Sequence, residues 1–155
     1  MCVPLLVMAK GPTLKIRIQG TDLATPVEIT EKAILDDFNV WTGAGVEING
    51  IPQRKGFIVD WEKGPVVEPP ATLRRYEVSF YVMHQRPSSY VVSYVYDPAT
   101  GKGYVHLPGK GENFNASNTF LILRGVEGNW LSATDRWTDL AKPLIERAKA
   151  GAKVP

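Results

Sequence analysis

From Tyr76 to Leu107 apolar and polar positions alternate almost without interruption, and two turn signals divide the run into three segments. Alternation with period two marks strands with one face buried. Gln85-Arg86-Pro87-Ser88-Ser89 supplies the first turn, where proline and serine favour a tight loop. Pro98-Ala99-Thr100-Gly101 supplies the second; proline pre-sets φ, and glycine accepts the positive φ that closes a four-residue hairpin loop. Pairing His84 with Tyr90 predicts Val82 opposite Val92 and Phe80 opposite Tyr94. Pairing Asp97 with Lys102 predicts Tyr94 opposite Val105 and Ser93 opposite His106. One face then carries Tyr76, Val78, Phe80, Val82, Tyr90, Val92, Tyr94, Tyr96, Val105 and Leu107, and this is the core face. The other carries Glu77, Ser79, Tyr81, Met83, Val91, Ser93, Val95, Asp97, Tyr104 and His106, a mixed face open to solvent or partly covered.

The same periodicity predicts a strand at Thr13–Gln19 with Leu14, Ile16 and Ile18 inward, and a short one at Val27–Ile29. Thr30 is placed to cap a helical turn over Glu31–Phe38. Val46–Ile48 runs into Asn49-Gly50, a two-residue hairpin signal. Gly56–Trp61 reads as a strand, Lys63–Thr72 as a stiff proline-rich connector, and Thr119–Leu123 as a late strand. Near the end the period changes from two to that of a helix. Trp137, Leu140, Ala141, Leu144, Ile145 and Ala148 recur at helical spacing behind a Thr134 cap, with Gly151 as the stop and Pro143 bending the middle. The expected fold is α+β: a mainly antiparallel β-sheet with a C-terminal helix packed on one face. That helix should bury Trp137, Leu140, Leu144 and Ile145 against the face of Phe80 and Tyr94.

Composition narrows this further. The 155 residues fit one domain with a core of its own. A net charge of +2, with basic residues never beyond pairs, offers no stripe for nucleic acid. No apolar run reaches the length of a membrane span. The single cysteine, Cys2, excludes an internal disulfide and a cysteine-rich metal site. Val3–Ala9 reads either as the tail of a signal peptide ending in a small residue or as a first strand, leaving residues 10–155 as the domain proper. The first reading places the protein in the periplasm or outside the cell; the second leaves a cytoplasmic location open.

Candidate chemistry is sparse. Gly103 to Lys110 departs from the Walker spacing and Gly43-Ala44-Gly45 from the dinucleotide fingerprint, so neither implies a nucleotide cofactor, and no other cofactor is implied. Backbone amides around Gly109, Lys110 and Gly111 could form an anion nest or a plain turn. His84 and His106 fall on opposite sheet faces, which disfavours a shared metal. The expected registers place Tyr81, Ser93 and His106 in one row with Asp97 and Glu77 one pair further along, the raw material of nucleophilic catalysis. A flat sheet lacks the strained elbow and oxyanion amides such catalysis needs. Trp41 and Trp130, beside turns, are candidate surface aromatics. Asn115-Ala116-Ser117 matches a glycosylation sequon.

Gly56-Phe57-Ile58-Val59-Asp60-Trp61, Arg75-Tyr76-Glu77-Val78-Ser79-Phe80-Tyr81, Gly103–Gly111 and Gly125-Val126-Glu127-Gly128-Asn129-Trp130 resemble phrases of small uncharacterised bacterial proteins in which a similar domain follows an export signal. The resemblance implies export and carries no activity. The residues therefore favour a non-enzymatic binding or interaction module, its partner a small molecule, glycan or protein. The alternatives are a small hydrolase using Ser93 and His106 and a carbohydrate-binding domain using surface aromatics.

Overall fold

A computed structural model of the chain describes residues 13–38, 40, 46–53, 56–82, 89–115 and 126–151. The turn at 85–88, His84, Trp41, Gly43–Gly45, Val3–Ala9, Thr119–Leu123 and most of the sequon lie outside them. Strands β1 (Thr13–Gln19), β2 (Val27–Ile29), β5 (Pro65–Val66), β6 (Arg75–Val82), β7 (Ser89–Asp97), β8 (Lys102–His106) and β9 (Trp130–Ser132) form one sheet. Its order is β2-β1-β6-β7-β8-β9-β5, and every pairing is antiparallel. β3 (Val46–Ile48) and β4 (Ile51–Gln53) make a separate hairpin. Its turn has Asn49 at φ 53° and Gly50 at φ 78°, the positive pair that a two-residue turn of this kind requires. Helix α1 (Lys32–Leu35) and the long C-terminal helix α2 (Asp135–Gly151) complete the α+β fold.

The expected core face is the core. Val78, Phe80, Tyr94 and Val105 are fully buried, and α2 lies on them. Thr134 caps α2: its Oγ1 accepts from the Trp137 amide at 3.2 Å. Trp137 sits edge-on to Tyr94 at 6.0 Å and to Phe38 at 5.5 Å, and against Phe80 at 6.3 Å. The buried stripe of α2 is Trp137, Ala141 and Ile145, with Leu140 and Leu144 only partly buried beside it. Spacing alone makes these leucines and Ile145 equivalent; in the fold only Ile145 lies within the core and the leucines pack at its edge.

The Asp97–Lys102 register is as expected, closed by Gly101 at φ 74° and by its amide donating to the Asp97 carbonyl at 2.8 Å. The β6–β7 register is not. Phe80 pairs with Tyr90, Val78 with Val92 and Glu77 with Ser93, four positions earlier on β7 than the turn chemistry predicts. An even displacement preserves both faces while changing every row. The Phe57 ring packs 5.0 Å from Phe80 and 5.2 Å from Tyr90. In this register the two rings lie side by side and Phe57 packs against both.

Other departures also trace to tertiary packing. A bulge between Thr13 and Lys15 turns Leu14 outward and buries Thr13 instead. Glu31, in extended conformation, occupies the N-cap of α1 in place of Thr30, and the helix spans a single turn. Phe57, Ile58 and Val59 are all buried, so no strand alternation survives there; Val59 makes one isolated bridge, to Ala133. The connector after Lys63 contributes the edge strand β5, and Trp130–Ser132 joins it to β8.

Candidate functional site

On the face opposite α2, the corrected registers align Gln19, Glu77, Ser93, His106 and Trp130 across β1, β6, β7, β8 and β9. Tyr81 leaves this row. It pairs with Ser89, four residues along β6 from Glu77 or ~13 Å, where the Lys15 ammonium lies 4.6 Å from its ring. Asp97 leaves it too: its Oδ1 accepts the Ala99 amide at 2.9 Å and serves the turn. Glu77 takes the place beside Ser93. It is half-buried, and among the described residues its carboxylate has no hydrogen-bond or ion-pair partner.

The loop after β8 closes one side. Gly109 is forced by proximity, since a Cβ there would stand 2.8 Å from the Gly128 Cα. The Gly128 amide donates to the Leu107 carbonyl at 2.7 Å, and the Asn115 side chain donates to the Pro108 carbonyl at 2.9 Å. Lys110 is exposed at the tip, and Gly111 turns the chain at φ 86°. The Glu112 amide then bonds the Gly109 carbonyl at 3.0 Å. In this setting Gly109, Lys110 and Gly111 build the turn that swings Glu112 over the sheet.

Glu112 Oε2 lies 2.9 Å from His106 Nε2. A carboxylate only accepts, so Nε2 carries the proton and donates. That hydrogen bond, ahead of smaller contributions, holds the Glu112 carboxyl below its ordinary 4.5. His106 Nδ1 is buried and has no hydrogen-bond partner. The imidazole leans on the Trp130 ring at 5.0 Å, and the Arg75 guanidinium sits 4.9 Å from the same ring while bonding Glu68 at 2.7 Å. Arg75 and Trp130 therefore meet above β7 and β8, and Val95 beneath them is 1% exposed. Trp130 itself is 7% exposed. So buried, the ring offers little face for sugar stacking, and of the tyrosines on which that reading also rests, Tyr81, Tyr96 and Tyr104 are partly exposed.

An open cleft of about 520 Å³ lies between sheet and loop, lined by Glu77, Ser93, His106, Glu112, Asn113 and Phe114. Phe114 keeps 44% of its surface exposed and holds φ at 69°, a left-handed conformation that costs a side-chain-bearing residue about 1–2 kcal/mol. Strain of this kind concentrates at functional positions. Parity in the sequence places Glu77 on the right face, but only the register puts it beside Ser93. Glu112 and Phe114 carry no periodic signal, because a loop's reach is set by contacts such as Gly109 on Gly128.

Among the described residues no three His, Cys, Asp or Glu side chains gather as a metal site. Nor is any described helix long and apolar enough to cross a membrane. Comparison of this chain with family models, curated proteins and solved structures finds no match.

Proposed function

We propose that this protein is a binding module, and that the cleft above β6–β8 takes a small cationic, amine-bearing ligand. The observation that carries this is Glu77, a half-buried carboxylate without a partner that opens into the same cleft as Glu112 and the exposed Phe114 ring. Carboxylates accept from an ammonium, and an aromatic face attracts it. Among the described residues lining the cleft there is no lysine or arginine to compete. Calorimetric titration with putrescine tests the reading, with butanediol as the uncharged control of similar shape. Wild-type protein should bind the diamine at least tenfold tighter than the diol. Glu77→Gln should weaken the diamine by about 10–100-fold, the range of one charge-assisted hydrogen bond. Equal binding of diamine and diol would point to hydroxyl recognition and remove the charge argument.

A serine hydrolase is the second reading, favoured by Ser93 lying directly opposite His106 with Glu112 on the imidazole. The role of base would fall to Nδ1, the one ring nitrogen free of Glu112. Nδ1 is buried and makes no hydrogen bond to Ser93, so this reading ranks below binding. Turnover of a nitrophenyl ester that Ser93→Ala abolishes would reverse that order. Export, implied by the resemblance and by reading Val3–Ala9 as the tail of a signal peptide, belongs to the same proposal; a chain lacking residues 1–9 should then melt at the same temperature as the full chain.

A further inference from the structure

The helix-covered side of the sheet holds a second cleft, at the end of α2 remote from its cap. It is about 250 Å³ in volume and runs between Tyr76 and Tyr96 on the strands, Leu73 on the preceding turn, and Ile145 on the helix. Arg74 and Lys142 stand at its rim with Lys149 and Glu146. The charges are not balanced. Lys149 is paired with Asp22 and Glu146, both at 3.5 Å. The Lys142 ammonium lies 5.1 Å from the Tyr96 ring and forms no ion pair, and the Arg74 guanidinium reaches only the Thr21 hydroxyl at 3.4 Å. Among the described residues neither cation has a carboxylate within ion-pair distance, and Glu146 adds only the least of the attractions on Lys142, so both stand available above an aromatic and aliphatic floor. The Tyr96 hydroxyl, with a smaller contribution from Glu146, also holds the Lys142 ammonium above its ordinary value.

We infer that this cleft is a binding site for a small aromatic carboxylate, its ring between Tyr76, Tyr96 and Ile145 and its carboxylate between Lys142 and Arg74. Aromatic rings pack offset or edge-on against tyrosine at low entropic cost, and a planar guanidinium matches a carboxylate in two-point geometry. The volume, a little below the roughly 300 Å³ at which drug-sized pockets begin, suits one ring with a short acid arm. The site is independent of the acidic cleft. It lies on the other face of the sheet, as the neighbours Tyr76 and Glu77 show by pointing to opposite sides.

Phenylacetate titrated into the full chain, followed by backbone amide resonances in a two-dimensional nitrogen–proton spectrum, tests the inference. Saturable shifts centred on Tyr96, Lys142 and Ile145 are expected, with dissociation in the micromolar to low millimolar range. Phenylacetamide, uncharged, should bind at least tenfold more weakly, and Lys142→Gln combined with Arg74→Gln should weaken phenylacetate by a similar factor without displacing other resonances. Inorganic phosphate should not compete at equal concentration. Absence of saturation up to about 10 mM phenylacetate overturns the proposal. So does equal affinity for acid and amide, competition by phosphate alone, or binding that survives loss of both cations.

Discussion

Gly103 is the position where one added methyl group should unseat the C-terminal helix. It lies in β8 beneath the first turn of α2, its carbonyl accepting the Ala133 amide at 2.9 Å. A Cβ on residue 103 would stand 2.9 Å from both Cε2 and Oη of Tyr94 and still closer to the Thr138 hydroxyl. Those two side chains are hydrogen-bonded at 3.1 Å and buried. The backbone at Gly103 lies outside the left-handed region, so in open space alanine there would stabilise by about 0.4–1 kcal/mol through the unfolded chain. Overpacking costs roughly 1–3 kcal/mol, and a Tyr94 hydroxyl driven from its partner adds a desolvation penalty of about 1–3 kcal/mol. The net expectation for Gly103→Ala is a loss of about 2–4 kcal/mol, a fall in Tm of roughly 4–16 °C at this chain length. Urea unfolding followed by tryptophan fluorescence measures it, since Trp137 reports directly on the helix. A double-mutant cycle separates the clash from a general weakness of β8. Thr138→Ala removes the nearest atom, so Gly103→Ala with Thr138→Ala should cost at least about 1 kcal/mol less than the two single losses together. A Gly103→Ala loss under half a kilocalorie, or strict additivity, would refute the reasoning.

The pH dependence of stability follows from two groups. Burial, more than any neighbour, pushes the Tyr94 hydroxyl up to about 12 from 10.0. A raised value favours the protonated form in the folded state, so its stabilisation is complete below pH 10 and is lost as pH rises toward 12, roughly 2–3 kcal/mol in all. Tyr94→Phe should remove that component of alkaline unfolding. Glu112 has the opposite sign: its depressed value contributes stability above pH 4.5 that disappears as pH falls through the folded value. Its carboxyl is half exposed, so Glu112→Gln should flatten the acid limb by no more than about 1 kcal/mol. On α2, Ile145→Ala should cost about 2–5 kcal/mol by thermal unfolding and Leu140→Ala clearly less, because only the former is fully within the core.

The two faces of the central sheet were legible because alternation is local, although burial follows it only in part: Ser79, Val91 and Val95 on the second face are buried and Tyr96 on the first is not fully so. Tyr76 to Leu107 needed no tertiary knowledge to be sorted, and the Thr134 cap with Trp137 behind it marked the helix equally well. Register was a different matter. The β6–β7 pairing sets Phe80 beside Tyr90, where Phe57, more than twenty residues upstream, packs on both rings, a contact that no turn residue encodes. The site inherited that uncertainty. Ser93 and His106 were found through the Asp97–Lys102 hairpin, whose Gly101 fixes it locally, whereas Tyr81 and Asp97 were grouped with them by the other register. Glu112 reaches His106 only because Gly109 can press on Gly128. Trp130 reads as a surface aromatic until Arg75 and His106 are seen against its ring.

The central claim is the proposed amine site in the cleft above β6–β8, and resonance mapping of putrescine binding tests it most directly. Saturable shifts at Glu77, Ser93, the His106 ring and Phe114, absent at Tyr96 and Ile145 and lost in Glu77→Gln, are the predicted result. Shifts that never saturate, that centre elsewhere on the molecule, or that persist unchanged in Glu77→Gln would contradict it.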